Sequence, residues 1–341
     1  YRQTRIQQRF SVVLDKSQDG EIIQDFFDPA ETQGDRGPTT AKRMQRYEGE
    51  ATPLATAAVK KALDRTNLKP AAITHLITCS CTGFQAPGID VALMKKFDLS
   101  SQISRTHIGF MGCHGGFNAL RVAKAYAESE PHAVVLIVCI ELCSLHFQYT
   151  EDPEQIVANS IFADGAAAII GCSSESPESL APDGWSLVDQ TSVLLPNSAD
   201  HMGWTIGDNG FEMTLSPEVP ARIAEALPSL TDSFLQRHHV MRNNITHWAV
   251  HPGGPRILTM VEEALQLSSK SLDTSRDILA QYGNMSSATI FFILEQLFAR
   301  KKLDPTHQNN NTCVAMAFGP GLTTELALFT SFSDSNERVP T

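Results

Sequence analysis

Ile73-Thr74-His75-Leu76-Ile77-Thr78-Cys79-Ser80 returns 172 residues later as Ile245-Thr246-His247-Trp248-Ala249-Val250-His251-Pro252. Each stretch reads as a short buried strand, apolar and rich in β-branched residues. A second pair stands at nearly the same offset, 174 residues: Ile108-Gly109-Phe110-Met111-Gly112-Cys113 against Tyr282-Gly283-Asn284-Met285-Ser286-Ser287. Each of these leads into a long apolar helix. The helix after Cys113 is followed by an expected strand over residues 133–141, and the helix after Ser287 by one over residues 312–318. The order strand, helix, strand therefore occurs twice, which predicts a duplicated α/β architecture. The halves are placed at residues 1–172 and 173–341, with a last short strand of the first half over residues 166–171 and a Ser-, Pro- and Glu-rich linker over residues 173–183. The second half begins near Trp185. The weakly periodic stretch up to Gly37 is expected to include a helix packed outside the core.

If the halves pack about a pseudo-twofold axis, the helix starts bearing Cys113 and Asn284 face each other, and His251 ends a strand beside them. Three polar groups then converge on one buried point. A helix start favours an anion, because its N–H groups are unpaired and its dipole is positive there. A thiol at Cys113, expected at or near the first helical position, should therefore ionise more readily. A thiolate nucleophile with an imidazole and an amide able to stabilise a developing oxyanion makes a covalent acyl-transfer site that needs no metal. Taken singly the three residues are bland: a lone cysteine is a small buried hydrophobe, a strand-end histidine is structural, and Asn284 is a helix N-cap. Their convergence is the signal. In His251-Pro252-Gly253-Gly254-Pro255, two prolines fix a tight loop and two glycines let a substrate approach the backbone. A papain-like protease also combines Cys, His and Asn, but this chain lacks that family's local sequence around the nucleophile and its disulfide-bearing composition.

The 341 residues are 42% hydrophobic and 19% charged, ordinary for a globular protein with a large core. The longest uninterrupted apolar run, residues 133–140, is eight residues long, against roughly 20 needed to span a bilayer. No membrane insertion is expected. Seven cysteines, most of them in or beside apolar segments, suit reduced thiols and a cytoplasmic location better than a disulfide scaffold. None has the spacing of a zinc site, so no metal is expected. The formal charge of −11 argues against a general nucleic-acid binder, and a polyanionic ligand must be met by a local basic patch. The chain starts at Tyr1 rather than at a methionine, so its start is read as other than the natural one.

These features, together with Phe162-Ala163-Asp164-Gly165-Ala166-Ala167-Ala168, the continuation Ser287-Ala288 and Phe318-Gly319-Pro320-Gly321-Leu322, resemble the type III polyketide synthases, the chalcone synthase-like family of the thiolase fold. The resemblance runs over about residues 41–329. It implies a duplicated αβαβα five-layer fold of two pseudo-twofold related halves, the first carrying the nucleophile and the second His and Asn. It also implies iterative decarboxylative Claisen condensation of malonyl-CoA onto an acyl-CoA starter by a homodimer, with no carrier protein and no cofactor beyond the CoA thioesters. By this resemblance Cys113 carries the starter and the growing chain. His251 and Asn284 hold the thioester carbonyl of malonyl-CoA and stabilise the enolate left by decarboxylation, and His251 pairs with Cys113 to keep it ionised. Phe162 corresponds to the family's gatekeeper phenylalanine, whose apolar face disfavours the malonyl carboxylate and so favours its loss. The CoA phosphates require basic residues at a tunnel mouth, for which Arg36, Lys42, Arg43, Arg46 and Arg256 are candidates.

The pocket departs from plant chalcone synthases. His146 stands in place of a threonine, Trp204 of a glycine and Met213 of a second gatekeeper phenylalanine, with Cys81, Thr82, Cys143 and Ser286 at further lining positions. Gly253, Gly254, Phe318, Gly319 and Pro320 belong to loops expected to border the substrate, although Ala317 replaces the first glycine of the family's Gly-Phe-Gly-Pro-Gly loop. Met202-Gly203-Trp204 followed by Asp208-Asn209-Gly210-Phe211 is similar to bacterial members, which make pyrones, resorcinols and phloroglucinol-type rings. Trp204 is expected to fill volume a plant-type enzyme leaves open, favouring an aliphatic acyl-CoA over a bulky aromatic starter. The small residues Cys81 and Cys143 mark where a channel for such a chain opens. The alternative is a ketoacyl-ACP synthase III-like enzyme making a single condensation. That relative has Gln-Ala-Asn after its histidine where this chain has Pro252-Gly253-Gly254, and it lacks the Phe-Gly-Pro-Gly loop. A third reading, a catalytically silent acyl-CoA-binding homologue, is opposed by three catalytic residue types in their expected contexts.

Overall fold

The computed structural model describes residues 4–17, 19–66, 68–173, 183–303 and 311–333. In chain order these form β1 (Leu14–Lys16), β2 (Ile22–Gln24), α1 (Thr40–Asp64), β3 (His75–Ser80), α2 (Ile89–Phe97), β4 (Ser104–Gly109), α3 (Gly115–Ser129), β5 (Val134–Leu142), α4 (Pro153–Ile161) and β6 (Asp164–Cys172). The second half continues with β7 (Asp183–Leu194), β8 (Met202–Gly207), β9 (Gly210–Leu215), α5 (Val219–Gln236), β10 (His247–Val250), α6 (Pro255–Leu265), α7 (Asp273–Tyr282), α8 (Thr289–Leu303), β11 (Thr312–Gly319) and β12 (Thr323–Ser333). The strands expected over residues 133–141, 166–171 and 312–318 are β5, β6 and β11, each displaced or extended by one or two residues. Most of the expected linker, residues 174–182, lies outside the described residues.

The repeated Ile-Thr-His leads into β3 and into β10, and the pairing of the strands around them repeats as well. In the first sheet, ordered β4-β3-β5-β6, β3 runs parallel to β5 and β5 antiparallel to β6. In the second, ordered β10-β11-β12-β7, β10 runs parallel to β11 and β11 antiparallel to β12. Both β3 and β5 are buried at every position, as strands covered on two faces must be, which is why they appear in the sequence as continuous apolar runs rather than alternating ones.

The layers follow from which apolar faces meet. Phe117 and Leu120 of α3 and Ile290, Phe291 and Leu294 of α8 share one buried cluster with Ile77 and Ile137 of the first sheet and Ala315 and Phe329 of the second. The two helices are thus the filling between the sheets. On the outer face of the first sheet, Tyr47, Ala55 and Val59 of α1 pack on Leu76 and Leu136. On the outer face of the second, Ile223 and Leu227 of α5 and Leu258 of α6 pack on Trp248, Val314 and Leu328. Helix, sheet, helix, sheet, helix is the five-layer order.

One local expectation is corrected. Up to Gly37 the described residues hold no α-helix but the hairpin β1–β2, with Lys16 opposite Ile22. Gly20 takes the left-handed conformation (φ +84°) that closes the loop, and the β-branched Ile22 and Ile23 favour the extended strand after it.

Candidate active site

Gly115 and Gly116 open α3 because nothing larger fits. A Cβ on Gly116 would stand 2.8 Å from the carbonyl oxygen of Ser287 and 2.9 Å from the Phe291 ring, so the start of α3 lies directly against the start of α8. This contact brings the two repeated motifs together. Cys113 sits in a 3-10 turn, Gly112–His114, just before α3 rather than in the helix itself. Asn284 precedes the matching turn Ser286–Ala288, with its Oδ1 accepting from the Ser286 N–H at 2.8 Å. Its backbone is tied to the end of α4: the Asn284 N–H donates to Ile161 and its carbonyl accepts from Ala163, both at 2.9 Å. Asn284 Nδ2 then stands 3.9 Å from Cys113 Sγ.

His251 follows β10 directly, its N–H donating to the Met316 carbonyl at 2.8 Å. Its ring is buried, and neither ring nitrogen has a hydrogen-bond partner among the described residues. An unpaired buried polar atom costs about 1–3 kcal/mol, so a ring with two of them is set up to meet a ligand. Burial, reinforced by the nearby His114, lowers its pKa to about 3, so it stands neutral with one N–H to donate. Two expectations are corrected here. His251 makes no hydrogen bond to Cys113, and burial pushes the Cys113 thiol up to about 12 despite opposing contacts from Ser286 and Asn284. Removal from water disfavours the thiolate more than these two contacts favour it.

Cys81, Thr82, Cys143, Phe162, Trp204, Met213, Ser286 and Pro320, all anticipated from sequence, line a cavity of about 30 Å³ on Cys113, joined by Gly112 and Met202. A second cavity of about 290 Å³ lies beyond it, bordered by Arg9, Phe10 and Phe27 and by His146. Cys143, Phe162 and Trp204 line both. The wall between them is held rigidly. Trp204 Nε1 donates to the Cys81 carbonyl at 2.7 Å. His146 Nδ1 accepts from the Phe211 N–H at 3.0 Å, which leaves Nε2 to donate to the Thr82 carbonyl at 2.6 Å. The His146 ring stacks on buried Phe211 with centroids 4.0 Å apart.

Other anticipated residues lie elsewhere. Gly253 and Gly254 precede α6 and line neither cavity, and Arg256 is exposed on α6. Phe318 is packed in the core cluster of the second sheet. Gly319 is instead a packing glycine, where a Cβ would collide with the His114 ring. Arg43 is no phosphate ligand: it is wholly buried and donates to the carbonyls of Pro38 at 2.7 Å, Phe147 at 2.9 Å and Leu145. Arg46 is held by Asp25 at 3.3 Å and Glu50 at 3.0 Å, while Arg36 is exposed and donates to the Tyr149 carbonyl. Lys42 is exposed on α1.

Sequence reasoning passed over Glu141, wholly buried behind the cavity. Its carboxylate accepts from the Cys81 N–H at 2.9 Å, from Thr82 Oγ1 at 2.8 Å and from Ser287 Oγ, and burial raises its pKa to about 7. Its signal was available: a single acid closing the eight-residue apolar run of β5 requires buried donors.

A thiol beside an amide, with a small apolar cavity on the sulfur, and a buried neutral imidazole at the end of β10 are the groups that can form an acyl thioester and stabilise an enolate or oxyanion. The chain matches the family models for chalcone and stilbene synthases, N-terminal domain over residues 3–174 and C-terminal domain over residues 186–333. Among similar proteins is the alpha-pyrone synthesis polyketide synthase-like Pks18 of Mycobacterium tuberculosis, 36% identical over 295 residues, which cover 86% of this chain and 74% of Pks18. Polyketide synthase 37 of Dictyostelium discoideum is 33% identical over 274 residues, 79% of this chain and 9% of that much longer one. Among solved structures, PKS-I of the brown alga Ectocarpus siliculosus superposes with a TM-score of 0.79 at 30% identity, covering 89% of this chain and 81% of that one. The C-terminal type III polyketide synthase domain of Steely1 from Dictyostelium gives 0.78 at 29% identity, over 86% and 80%.

Proposed function

The chain belongs to the chalcone and stilbene synthase family and is a type III polyketide synthase, a CoA-dependent condensing enzyme, and we propose that it extends an aliphatic acyl-CoA starter with malonyl-CoA and closes the chain to a pyrone. The observation that carries this reading is the approach of Asn284 Nδ2 to Cys113 Sγ at 3.9 Å, together with a buried His251 imidazole at the end of β10 that is left without a hydrogen-bond partner among the described residues. Cys113 Sγ bonds to the acyl carbon of the starter. The C–S bond to CoA breaks, and the proton given up by the thiol passes through His251 to the departing CoA sulfur. Malonyl-CoA then loses CO₂ against the apolar face of Phe162. The negative charge left on its thioester oxygen is met by the Asn284 amide and the His251 N–H, donors worth several kcal/mol in a dry pocket. The enolate carbon attacks the Cys113 thioester, releasing the thiolate, which recaptures the lengthened chain from CoA for the next round.

The shape of the site supports the starter. The inner cavity is too small for an aromatic acyl group, and the larger chamber beyond Cys143 and Trp204 suits a flexible hydrocarbon. Of the two small residues expected to mark a channel, Cys143 lines both cavities and Cys81 only the inner one, which supports a passage at Cys143 once the partition yields. A pyrone agrees with the activity named for Pks18. No cofactor beyond the CoA thioesters is needed for these steps. The seven free thiols suit a reducing cytoplasm, and no helix among the described residues is long and apolar enough to cross a membrane.

A panel of acyl-CoA starters, each offered with malonyl-CoA or with malonyl carrier protein and read by product mass, tests the assignment. Turnover is expected with malonyl-CoA and an aliphatic starter. Turnover with the carrier protein alone would establish the single-condensation alternative. Failure of every CoA ester to acylate Cys113, read by intact mass, would leave only a binding role.

The active form is proposed to be a homodimer, closed twofold dimers being the commonest oligomers. Phe84 and Met111, 52% and 37% exposed in the segments just after Thr82 and just before Cys113, offer apolar surface beside the site. Light scattering at micromolar concentration is expected to give twice the chain mass. A monomer would rule the dimer out.

A further inference from the structure

Phe162 follows α4 and Asn284 follows α7, and the two pair with each other as an isolated parallel bridge. A helix leaves its last carbonyls to be met from outside. At the end of α4 the Ala158 carbonyl accepts from the Phe162 N–H at 3.1 Å and the Ile161 carbonyl from the Asn284 N–H at 2.9 Å. The Asn159 carbonyl is met by Arg9, whose Nη1 stands 2.8 Å from it and 2.9 Å from the carbonyl of Phe162. Arg9 is thus a cation at the negative end of a helix, and it pins the backbone of Phe162 one turn apart on either side. Its stem closes the other side of the same junction. A Cβ on Gly283, the residue before Asn284, would stand 3.0 Å from Arg9 Cγ, 2.9 Å from Ala163 Cβ and 3.1 Å from the Ile161 carbonyl oxygen.

The segment that carries Arg9 is itself tied down. The N–H groups of Gln7 and Gln8 donate to the Ala280 carbonyl of α7 at 2.8 and 3.1 Å, and the Phe10 carbonyl accepts from the Asp164 N–H of β6 at 2.9 Å. The Val12 N–H donates to Asp164 Oδ2 at 2.7 Å, and the Phe10 ring stacks on Tyr282 with centroids 5.8 Å apart. Arg9 therefore sits fixed between α7 and β6. Cys113 is placed by other contacts, in a turn where Gly112 abuts the Pro320 ring and Gly116 abuts the carbonyl of Ser287.

We propose that Arg9 is a positioning residue for decarboxylation, joining the end of α4 to the approach to Asn284 so that the Phe162 ring and the Asn284 amide act on one malonyl group together. The inference rests on the condensation proposed above. In that step the C–C bond to the carboxylate breaks beside Phe162, and its electron pair passes to the thioester oxygen at Asn284. When no acyl-enzyme is present, the enolate carbon takes a proton from solvent to leave acetyl-CoA. Misplacing groups that act on one substrate by about 1 Å costs up to about a hundredfold in rate. Acylation needs the thiol, not this junction.

The test compares two reactions of the same enzyme. One is acylation of Cys113 by the shortest straight-chain acyl-CoA that acylates the wild type, read by single-turnover intact mass. A short chain stays clear of the outer cavity that Arg9 borders. The other is CO₂ release from malonyl-CoA. Arg9→Met keeps a stem against Gly283 and removes both donors, so its CO₂ release should fall by about tenfold or more while acylation stays within about twofold. Arg9→Lys keeps the charge without the planar fork and should lose less. Wild-type CO₂ release in Arg9→Met would overturn the proposal. Acylation that falls in step with CO₂ release in both variants would also overturn it, by showing a packing role alone. Should Arg9→Met fail to fold, Arg9→Lys decides: a lowered ratio of CO₂ release to acylation supports the proposal, and an unchanged ratio overturns it. Wild-type enzyme that acylates but releases no CO₂ would instead remove the condensation reading, and this inference with it.

Discussion

Cys113→Ala is expected to abolish chain extension, by at least about three orders of magnitude, because removing a covalent nucleophile removes the pathway itself rather than one contact along it. None of the other six cysteines takes its place. Cys79, Cys139 and Cys313 are strand residues in the core between the sheets. Cys172 ends β6, while Cys81 and Cys143 line the cavity but it is Cys113 that stands next to the Asn284 amide. His251 and Asn284 remain, so the variant should still decarboxylate malonyl-CoA slowly, leaving acetyl-CoA. Intact mass should show no acyl adduct, and product mass no polyketide. Extension at more than a few per cent of the wild-type rate would refute the nucleophile assignment. Loss of decarboxylation together with extension in a normally folded variant would refute the division of labour between sulfur and donors.

Trp204→Gly should change what is made rather than whether anything is made. The indole is the partition between cavities of about 30 and 290 Å³, and a tryptophan carries on the order of 200 Å² of surface. Its removal joins the two spaces and leaves the Cys81 carbonyl without the indole N–H that meets it at 2.7 Å. A bulky aromatic starter should then gain roughly ten- to a hundred-fold in kcat/KM, the range that filled or emptied apolar volume controls, or the product should lengthen. The variant should also melt at a lower temperature, since emptying a tryptophan site costs about 3 kcal/mol when fully buried and this one is only partly so. A cooperatively folded Trp204→Gly enzyme with the wild-type starter range and product profile would show that the partition does not select.

The candidate catalytic residues were legible because each marks a helix start or a strand end, and such boundaries appear in one dimension. The shared Ile-Thr-His ahead of β3 and β10 announces the duplication. The lining residues were legible only through resemblance. Nothing in the spacing of Cys81, Cys143, Trp204 and Met213 says that four separate elements meet on one sulfur. The basic residues misled for a physical reason: Arg43 has the composition of a phosphate ligand, but its distance along α1 from Tyr47 and Ala51 puts it on the buried face. There its charge is spent on backbone carbonyls.

The repeated strand, helix and strand, the place of Cys113, His251 and Asn284 at their boundaries, and so the reaction class, are all set in the order of the residues. These are local properties, written in apolar period and in residues that start or stop an element. The ionisation of the site and the shape of its cavity come from packing alone. Whether the Cys113 thiol keeps its proton depends on burial contributed by both halves at once. Whether Trp204 fills or divides the pocket depends on two hydrogen bonds, from Trp204 to Cys81 and from His146 to Thr82, that join residues more than sixty positions apart. Solvation and cavity shape are sums over neighbours in space, and no window along the chain contains those neighbours.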